Sequence, residues 1–477
     1  MELHIVIEGR KDLAGQLYRQ LGDAIRSGRL AHGQQLPPSR LLAEQLGVSR
    51  KTVAQAYSRL TLDKLVVGKV GAGSFVQAPP RRGAPRAQAA PLAAASTVAR
   101  WDALPAPLRH PAPEGRARYE FVGGRPAASL FPQQDWRRCV LHGMRDEANA
   151  RGRYVETEGV PALRDAIARH VAFTRGVVCT AAQVVVTNGA QQALDLLGRV
   201  LLEPGCVAAV EDPGYPAARM LFAGQGAQVV GVPVDHDGIL PDLIPANARL
   251  VYVTPAHQFP LGMPMSVARK RALLARARAI GAIVIEDDYD SAFRYEGRPT
   301  DSLAGMDKHG IVAYVGTFSK VLTPELRIGF MVAPDALLNA VQNAKHYSDW
   351  HTAALPQHAL ARFISEGALL RHIRRCHAVY AQRREHLRAG FAQWLAPWFD
   401  LLPATAGFHM AAHCRRDVDM DQLLRLARRA DVGLYTLGKF YCSQPPREGL
   451  MLGYGAIDTL DIGTALQRVR DILEQSD

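Results

Sequence analysis

Residues 316–330 read GTFSKVLTPELRIGF and directly follow a short apolar segment that has the composition of a buried strand. Lys320 therefore comes just after a strand end, with the hydroxyls of Thr317 and Ser319 beside it and Arg327 seven residues further on. A lysine whose pKa is lowered can form a Schiff base with an aldehyde cofactor. Neighbouring hydroxyls and an arginine can hold a phosphate. Lysine after serine is a common pair, so the meaning of this stretch depends on the rest of the chain.

Around this stretch the chain alternates short apolar strands with helical segments such as Val267–Ile280. The predicted strands are Val184–Thr187, Val207–Val210, Leu250–Val253, Ile283–Ile285 and Val312–Val315. The alternation predicts an α/β domain with a mostly parallel sheet covered by helices on both faces. Ligand sites in such sheets lie beyond the carboxyl ends of the strands.

Two further motifs follow predicted strands. In VIEDDYD, Asp287 could pair with a pyridinium nitrogen and keep it protonated, and Tyr289 could hydrogen-bond a phenolic ring oxygen. Acids at the end of a strand are equally typical of a solvated terminus. In TPAHQFPLG, His257 and Gln258 are predicted to lie near the oxygen side of the same ring.

Two more motifs complete the set of candidate cofactor residues. In TNGAQQAL the backbone N–H groups of Gly189, Ala190 and Gln191 open a helix and could hold a phosphate at its positive end. The alternative is an ordinary turn from strand to helix. In EDPGYP, Tyr215 offers a flat partner that could stack on a pyridine ring, or it is an ordinary turn tyrosine.

The N-terminal end of the chain has a different pattern. Apolar spacing and capping residues predict three helices, near Leu13–Ser27, at Leu41–Leu46 after a cap at Ser39, and from a cap at Ser49 to about Leu60. The segment VVGKVGAGSFV then suits a glycine-rich hairpin, which would form a wing. This order predicts a winged helix-turn-helix that enters the major groove of DNA.

The third helix presents its basic side chains outward, whereas Val53, Tyr57 and Leu60 face the core. The predicted roles are phosphate contacts by Lys51 and Arg59, base contacts by Arg50, Thr52 and Gln55, and a backbone or minor-groove contact by Lys69 in the wing. Each basic residue taken alone is more typical of a solvated helix face, so the prediction depends on their combination.

Charge and composition divide the chain. Residues 1–78 carry eleven Lys or Arg against six Asp or Glu, which favours a polyanion partner such as DNA. Residues 79–118 are rich in Pro, Ala and Arg without a helical or strand period, which predicts a linker. The predicted domains are 1–78, DNA-binding; 79–118, linker; and 119–477, cofactor-binding and dimerising, with a large part at about 119–345 and a small part at about 346–477.

Composition excludes other classes. The chain has 477 residues, of which 48% are hydrophobic and 21% charged, as expected for a globular protein of two or three domains. The sequence contains no apolar run long enough to span a membrane and no secretory signal, so we expect a cytoplasmic protein. Six scattered cysteines without a C-x-x-C pair favour free thiols and no metal site.

The segments GRLAHGQQLPPSRLLAEQLGVSRKTVAQAYSRL and VGAGSFV resemble the winged-helix domain of GntR-type regulators over about residues 12–77. By this resemblance, residues from Pro38 to Arg40, residues from Ser49 to Thr52, and the wing glycines, including Gly71, contact operator DNA. Double-stranded DNA is thus the implied partner.

The motifs EDPGYP, TPAHQFPLG, EDDYDSAF and GTFSKVLTPELRIGF, in this order, resemble fold-type I aminotransferases over about residues 119–473. Paired with a GntR-type head, they resemble the MocR/GabR-type regulators. The resemblance implies pyridoxal 5'-phosphate (PLP) as cofactor and a homodimer. The implied roles are Lys320 in the Schiff base, Asp287 on the pyridine nitrogen, Tyr215 stacked on the ring, Tyr289 on the ring oxygen, and Ser319 and Arg327 on the phosphate.

Two positions depart from the family pattern. Ala217 stands where the GABA-responsive member has a carboxylate-binding arginine, with Arg219 two residues on, and Met451 stands about where many aminotransferases have another. We therefore expect a regulator that senses PLP, an amine or an amino acid, and that does not turn over amino acids efficiently. An active aminotransferase with an accessory DNA-binding head, and an inactive scaffold that only dimerises the heads, are the alternatives.

Overall fold

The computed structural model describes most of the chain as two compact units, Met1–Ala95 and Ser96–Asp477. The described residues are 5–7, 9, 11–69, 71–77, 95–105, 117–149, 151–297, 301–442 and 445–476. The domain boundaries expected at residues 78 and 118 stay predictions, because most of the predicted linker lies outside the described residues.

The first unit is a three-helix bundle with a hairpin. Its elements are α1 Leu13–Arg26, α2 Ser39–Gln45, α3 Arg50–Leu62, β1 Val66–Lys69 and β2 Gly73–Val76. Its core includes Leu17, Leu21, Ile25, Leu42, Val53, Ala56 and Leu60. The two strands pair antiparallel, Val66 opposite Val76, so the predicted order of three helices and a wing is confirmed.

One of the two predicted helix caps in this unit is correct. The Ser49 hydroxyl accepts a hydrogen bond from the Thr52 N–H at 3.1 Å and so satisfies a free donor of the first turn of α3. Ser39 is not a cap. It is the first residue of α2, and the cap position is Pro38, whose carbonyl accepts from the Leu42 N–H at 3.0 Å.

A helix that was not predicted, α4 at Ala95–Asp102, lies inside the predicted linker, and its residues from Ser96 onward belong to the second unit. Arg100 Nε donates to the carbonyl of Gly224 at 2.9 Å, and a Cβ at Gly224 would lie 2.6 Å from the ring of Trp101. A helix of eight residues has little stability of its own. We therefore attribute the stability of α4 to these tertiary contacts and not to a helical pattern in its own sequence.

The remaining elements form the body of the second unit. Its strands are β3 Tyr119–Glu120, β4 Val184–Thr187, β5 Val207–Asp212, β6 Gln228–Asp235, β7 Gly238–Ile239, β8 Ala248–Val253, β9 Ile283–Asp288, β10 Val312–Thr317, β11 Gly329–Val332, β12 Phe399–Leu401, β13 His409–Cys414, β14 Val432–Gly433, β15 Tyr435–Thr436 and β16 Gly449–Gly453. Its helices are α5 Gln133–Asn149, α6 Pro161–Arg175, α7 Ala190–Leu201, α8 Pro216–Gly224, α9 Val267–Ile280, α10 Leu303–Met306, α11 Asp335–Asp349, α12 Ala354–Ser365, α13 Ala368–Trp394, α14 Met420–Arg429 and α15 Thr459–Glu474.

The central sheet has eight strands in the order β4-β11-β10-β9-β8-β5-β6-β7. Strands β10, β9, β8, β5 and β6 run parallel, and β11 lies antiparallel between β4 and β10. Strand β7 is an antiparallel addition at the edge. The mostly parallel sheet is therefore confirmed.

Helices cover both faces of this sheet. Val185 of β4 packs in one core with Leu194 of α7 and Phe222 of α8, whereas Val186 packs in another with Leu163 of α6. Successive side chains of a strand point to opposite faces, so α7 and α8 cover one side and α6 the other. Helix α9 covers the α6 side further along the sheet, through a third core. This double cover is the reason the strands read as continuous apolar runs.

The C-terminal part carries a smaller antiparallel sheet in the order β12-β13-β16-β15. Strand β3 pairs with β14, so the first strand of the unit joins the C-terminal part. All six cysteines are unpaired thiols. Within the described ranges, none of the helices has both the length and the apolar character needed to cross a lipid bilayer.

Candidate functional site

The candidate cofactor residues meet at one edge of the central sheet. Strands β4, β5, β8, β9 and β10 all run the same way, so their carboxyl ends lie together. At this edge Thr317 pairs with Gly329, which pairs with Thr187, and Val315 lies opposite Asp287. The segments after these strands carry the cofactor residues predicted from the sequence, which is where α/β sheets bind ligands.

Lys320 lies three residues beyond β10 and points toward a glycine pair. Its Nζ donates to the carbonyl of Gly124 at 2.8 Å. Burial lowers the pKa of the Lys320 amine, while the carboxylates of Asp290 and Asp287 act in the opposite direction. An amine with a lowered pKa is more often unprotonated, which is the form that attacks an aldehyde.

Asp287 lies one residue before the end of β9 and is a buried carboxyl with one free oxygen. Its Oδ2 accepts a hydrogen bond from the Tyr252 hydroxyl at 2.7 Å, whereas Oδ1 has no partner within the described residues. Burial raises the pKa of Asp287 to about 6. A buried acceptor without a partner is costly, so Oδ1 is ready to receive a donor from a ligand.

Arg327 and the start of α7 lie side by side. Arg327 Nη2 donates to the carbonyl of Asn188 at 2.9 Å, and a Cβ at Gly189 would lie 2.7 Å from that nitrogen. A Cβ at Gly329 would lie 2.7 Å from the backbone N of Ala190. Because Gly189 and Gly329 have no side chains, the guanidinium and the neighbouring strand can approach the start of α7 closely. A helix start and an exposed arginine are both suited to an anion.

Not every predicted phosphate donor is available. The Gly189 N–H donates to the Thr187 carbonyl at 2.8 Å, and the prediction that it holds a phosphate stays a prediction. The Ala190 and Gln191 N–H groups belong to the first turn of α7, where no intrahelical acceptor exists. Thr317 Oγ1 accepts from the Ser319 N–H at 3.2 Å and thus fixes the turn that precedes Lys320.

Tyr215 immediately precedes α8 and lies close to other residues of the site. Its ring packs edge to face on Phe259 at 5.6 Å between centroids. Burial raises the pKa of Tyr215 to about 12, so the hydroxyl stays protonated and neutral. The ring is thus held as a rigid aromatic surface at the sheet edge.

His257 belongs to a buried polar group that the sequence motifs did not reveal. Its Nδ1 lies 2.9 Å from Oδ1 of Asp290 and 3.1 Å from the Tyr289 hydroxyl, and its Nε2 has no partner within the described residues. His409 of β13 packs on His257 at 4.5 Å between ring centroids. Burial and the neighbouring His257 hold the pKa of His409 well below its usual value.

Asp290 and His409 were missed for different reasons. Asp290 stands one residue after Tyr289 in VIEDDYD, so the acidic residues of this motif could have identified it. His409 comes from the distant small sheet, and no local motif marks it. With His257 they have the ligand types of a metal site, their donor atoms lying within 4.8 Å of one another. The expectation of no metal stays a prediction.

Gln258 is buried, and both ends of its amide are used by the loop that carries it. Its Nε2 donates to the carbonyls of Pro213 and Phe259, each at 2.8 Å, and its Oε1 accepts from the Leu261 N–H at 3.1 Å. These bonds fix the loop after β8 and so position His257.

The surface predicted to contact DNA lies on α3 of the first unit. The side chains of Arg50, Lys51, Gln55 and Arg59 are exposed, as predicted, and Val53, Tyr57 and Leu60 are buried. Thr52 shares a 2.8 Å hydrogen bond with the Ser49 hydroxyl. Arg40 is exposed in the first turn of α2.

The wing presents a cation and a tight turn. Lys69 Nζ lies 5.0 Å from the centroid of the Phe75 ring, which holds the amine over the hairpin. Gly71 has a φ of 74°, a conformation that favours glycine at the tip. The hairpin therefore projects a positive charge beside a turn that the glycine permits.

Together the residues of the sheet edge fit PLP. A free buried carboxylate oxygen matches a protonated ring nitrogen, an aromatic ring offers a stacking surface, and the start of α7 beside the exposed Arg327 suits a phosphate. Lys320 supplies the amine that an aldehyde requires. When bound, PLP supplies an aldehyde and a ring that withdraws electrons.

Comparison with known proteins agrees with both halves of this description. The family described as "Aminotransferase class I and II" matches residues 129–449, and "Bacterial regulatory proteins, gntR family" matches residues 13–76. Kynurenine aminotransferase of Pyrococcus horikoshii, solved with PMP, is 27% identical, with a TM-score of 0.70 over 75% of this chain and 91% of that one.

Fold and site thus define a transcription regulator with a winged-helix DNA-binding domain and a PLP-binding domain of the aminotransferase type. "Probable rhizopine catabolism regulatory protein MocR" of Rhizobium meliloti is 36% identical over 95% of this chain and 92% of its own length. The pyridoxine biosynthesis regulator PdxR of Corynebacterium glutamicum is 29% identical over 96% of this chain and 95% of its own. The chain belongs to the MocR/GabR-type subfamily of GntR regulators.

Proposed function

We propose that this regulator binds operator DNA through α3 and the wing, and that PLP or an amine bound at the sheet edge changes that binding. The free Oδ1 of buried Asp287 carries the cofactor half of the proposal, because a ligand with a ring N–H would satisfy it. The proposed site of action is the cytoplasm, where operator DNA lies in bacteria.

Each residue of the sheet edge has a role in this proposal. Lys320 forms the Schiff base with PLP, Asp287 pairs with the ring nitrogen, Tyr215 stacks on the ring and Tyr289 donates to the ring oxygen. The phosphate is held by Arg327, the Ser319 hydroxyl, and the Ala190 and Gln191 N–H groups, with Thr317 fixing the turn. His257 positions Tyr289, and Gln258 acts only through the loop.

The DNA contacts divide into two kinds. Arg50, Thr52 and Gln55 lie near base edges, and Lys51, Arg59, Arg40 and Lys69 lie on phosphates, with Ser49 and Gly71 setting the backbone that approaches the duplex. The exposed basic face of α3 supports this assignment.

We further propose that amino-acid turnover is not the main activity. The GABA-responsive member has a carboxylate-binding arginine at the position of Ala217. Arg219 does not take over that role, because it donates to the Tyr441 carbonyl at 2.8 Å. Met451 is buried in β16. Half-reactions at Lys320 remain compatible with this site.

A single comparison tests the function. Full-length protein is mixed with the DNA upstream of its own gene, with and without PLP, and its affinity is measured. The same preparation is assayed for amino-group transfer from a panel of amino acids to 2-oxo acids. We expect specific DNA binding that responds to PLP, with little multiple turnover. Sustained turnover without ligand-dependent DNA binding would favour the aminotransferase alternative.

The pH dependence of PLP affinity follows from Asp287. Below a pKa of about 6 the carboxyl is neutral and gives no charge to a protonated ring nitrogen, whereas above it the carboxylate does. PLP affinity of the wild type should therefore rise as pH increases through about 6. Asp287→Asn should lose this rise and bind PLP about tenfold or more weakly at neutral pH.

Fluorescence titration of PLP across the pH range checks this prediction. Because the Asp287 carboxylate also raises the pKa of the Lys320 amine, the same comparison is repeated in a Lys320→Ala background, where that amine is absent. Parallel pH profiles for wild type and Asp287→Asn would show that the carboxyl does not pair with the ring.

The aromatic patch formed by Tyr154, Tyr347 and Trp350 supports a homodimer. All three side chains are exposed, and the Tyr154 and Trp350 rings are 5.0 Å apart. The neighbouring Asp349 accepts from Asn188 Nδ2 at 2.7 Å, and the Asn188 carbonyl accepts from Arg327. The patch thus adjoins the proposed phosphate site. A second copy covering it would also close that site.

Light scattering tests this assembly. We expect a species of twice the 52.0 kDa chain mass at micromolar concentration. The double variant Tyr154→Glu with Tyr347→Glu should shift to monomer, because two buried unpaired charges are costly. Leu460→Glu, an equally exposed apolar residue at the start of α15, should stay dimeric. A monomeric wild type would refute the dimer.

A further inference from the structure

The thioether side chain of Met451 lies next to the segment that binds the Lys320 amine, and it forms one wall of the proposed site. Lys320 Nζ donates to the Gly124 carbonyl, and a Cβ at Gly124 would lie 3.0 Å from Nζ. At the preceding residue, Gly123, a Cβ would lie 2.7 Å from Cε and 3.1 Å from Sδ of Met451. The end of the Met451 side chain therefore lies against the same two-glycine segment that holds the amine.

Met451 belongs to a continuous apolar surface. It packs in a cluster with Leu261, Met263, Ala411, Leu437 and Phe440. Phe259 joins this cluster, and its ring centroid lies 5.6 Å from that of Tyr215 and 5.9 Å from that of Tyr289. Apolar side chains thus extend from the two aromatic rings assigned to the cofactor as far as Met451.

Arg125, which follows Gly124, interacts electrostatically with Glu325. Three further arginines near this wall are engaged elsewhere. Arg219 donates to the Tyr441 carbonyl and lies 2.9 Å from Cys442 Sγ. Arg428 is paired with Glu120 at 3.0 Å. Arg327 lies at the start of α7, on the side assigned to the phosphate.

A carboxylate at this wall would lose its water without gaining a partner. Carboxylates inside proteins are usually held by bidentate arginine or by several N–H donors, and a carboxylate buried against apolar groups is strongly disfavoured. Apolar substituents, in contrast, gain free energy from contact with such a surface. The wall therefore discriminates by charge.

We propose that the effector is a primary amine with an apolar substituent and no carboxylate, and that Met451 determines this preference. This inference rests on the proposed sensing function. The amine nitrogen forms a bond to the aldehyde carbon of PLP as the bond from that carbon to Lys320 Nζ breaks. Both hydrogens of the incoming amine pass to Nζ, and no oxidant or reductant is needed.

Matched ligand pairs test the preference in the full-length, PLP-loaded protein. The pairs are 3-methylbutylamine against leucine, and 2-phenylethylamine against phenylalanine, which differ only by the carboxylate. Binding is followed by the visible spectrum of the cofactor and by calorimetry. We expect each amine to bind about tenfold or more tightly than its amino acid. A charge-assisted contact to the carboxylate, worth roughly 1.5–3 kcal/mol, would cancel a difference of this size if the site offered one.

Two substitutions assign the preference to one side chain. Met451→Arg should bring leucine binding to or above that of its amine, since the guanidinium then faces the carboxylate. Met451→Leu keeps the apolar wall and should keep the wild-type preference.

The outcomes that contradict the inference are distinct. Wild-type protein that binds leucine as tightly as its amine, or that responds to neither member of either pair, would overturn it while leaving the cofactor assignment intact. A protein with no visible cofactor band would overturn both the cofactor assignment and this inference. If Met451→Arg does not fold, the amine and amino-acid affinities of the wild-type protein still test the inference.

Discussion

Lys320→Ala should abolish the yellow colour expected of the purified protein. The conjugated Schiff base with Lys320 is the proposed source of visible absorption, and alanine cannot form it. PLP should remain bound only through its non-covalent contacts, and dialysis should remove it far faster than from the wild type. Lys308→Ala, an exposed lysine on the same domain, should keep the full absorption band.

Chemical trapping checks the same assignment without relying on colour. Borohydride reduces the Schiff base to a stable amine, so the tryptic peptide that contains Lys320 should gain the mass of the reduced cofactor. An unmodified Lys320 peptide from yellow wild-type protein, or a label on another lysine, would show that the assignment is wrong.

Substitutions on α3 should separate sequence reading from electrostatic attraction. In a dimer each substitution is present twice, once on each half of the operator. Arg50→Ala should cost about 1–3 kcal/mol per half-site on the operator and much less on unrelated DNA, if its guanidinium reads a guanine. Lys51→Ala should weaken all sequences alike, and it should reduce the dependence of log K on log salt by about one unit per lost phosphate contact.

Fluorescence anisotropy with operator and scrambled duplexes at several salt concentrations measures both effects. Arg19→Ala is the matched control, because Arg19 lies on α1 and is paired with Asp12 at 3.1 Å. Equal losses on operator and scrambled DNA for Arg50→Ala would mean that Arg50 is a phosphate contact. An unchanged salt dependence for Lys51→Ala would remove Lys51 from the interface.

The sequence predicts the site because parallel strands bring distant motifs to one edge. Asp287 and Lys320 are 33 residues apart, yet each follows a strand of the same sheet, so strand order alone places both at the carboxyl edge. Helix α9 was predicted with its observed bounds, and the structure shows that Ser266 caps its first turn and Gly281 follows its last residue. Helix ends can be predicted from the sequence where the residues that mark them lie within one helical turn of the end.

What the sequence did not predict depends on tertiary contact. Helix α4 exists where Arg100 and Trp101 meet Gly224, more than a hundred residues away, and no local period marks that meeting. His409 reaches His257 from the small sheet only because that sheet packs over the edge of the large one.

The most direct test of the sensing mechanism is the affinity of the full-length protein for its operator, with and without PLP, measured for wild type and for Lys320→Ala. Lys320→Ala should bind unliganded operator as the wild type does, because the residues proposed to contact DNA lie in a separate unit. Wild-type affinity should change when PLP is added, and that of Lys320→Ala should not. A response of Lys320→Ala to PLP equal to that of the wild type would show that the Schiff base takes no part in sensing.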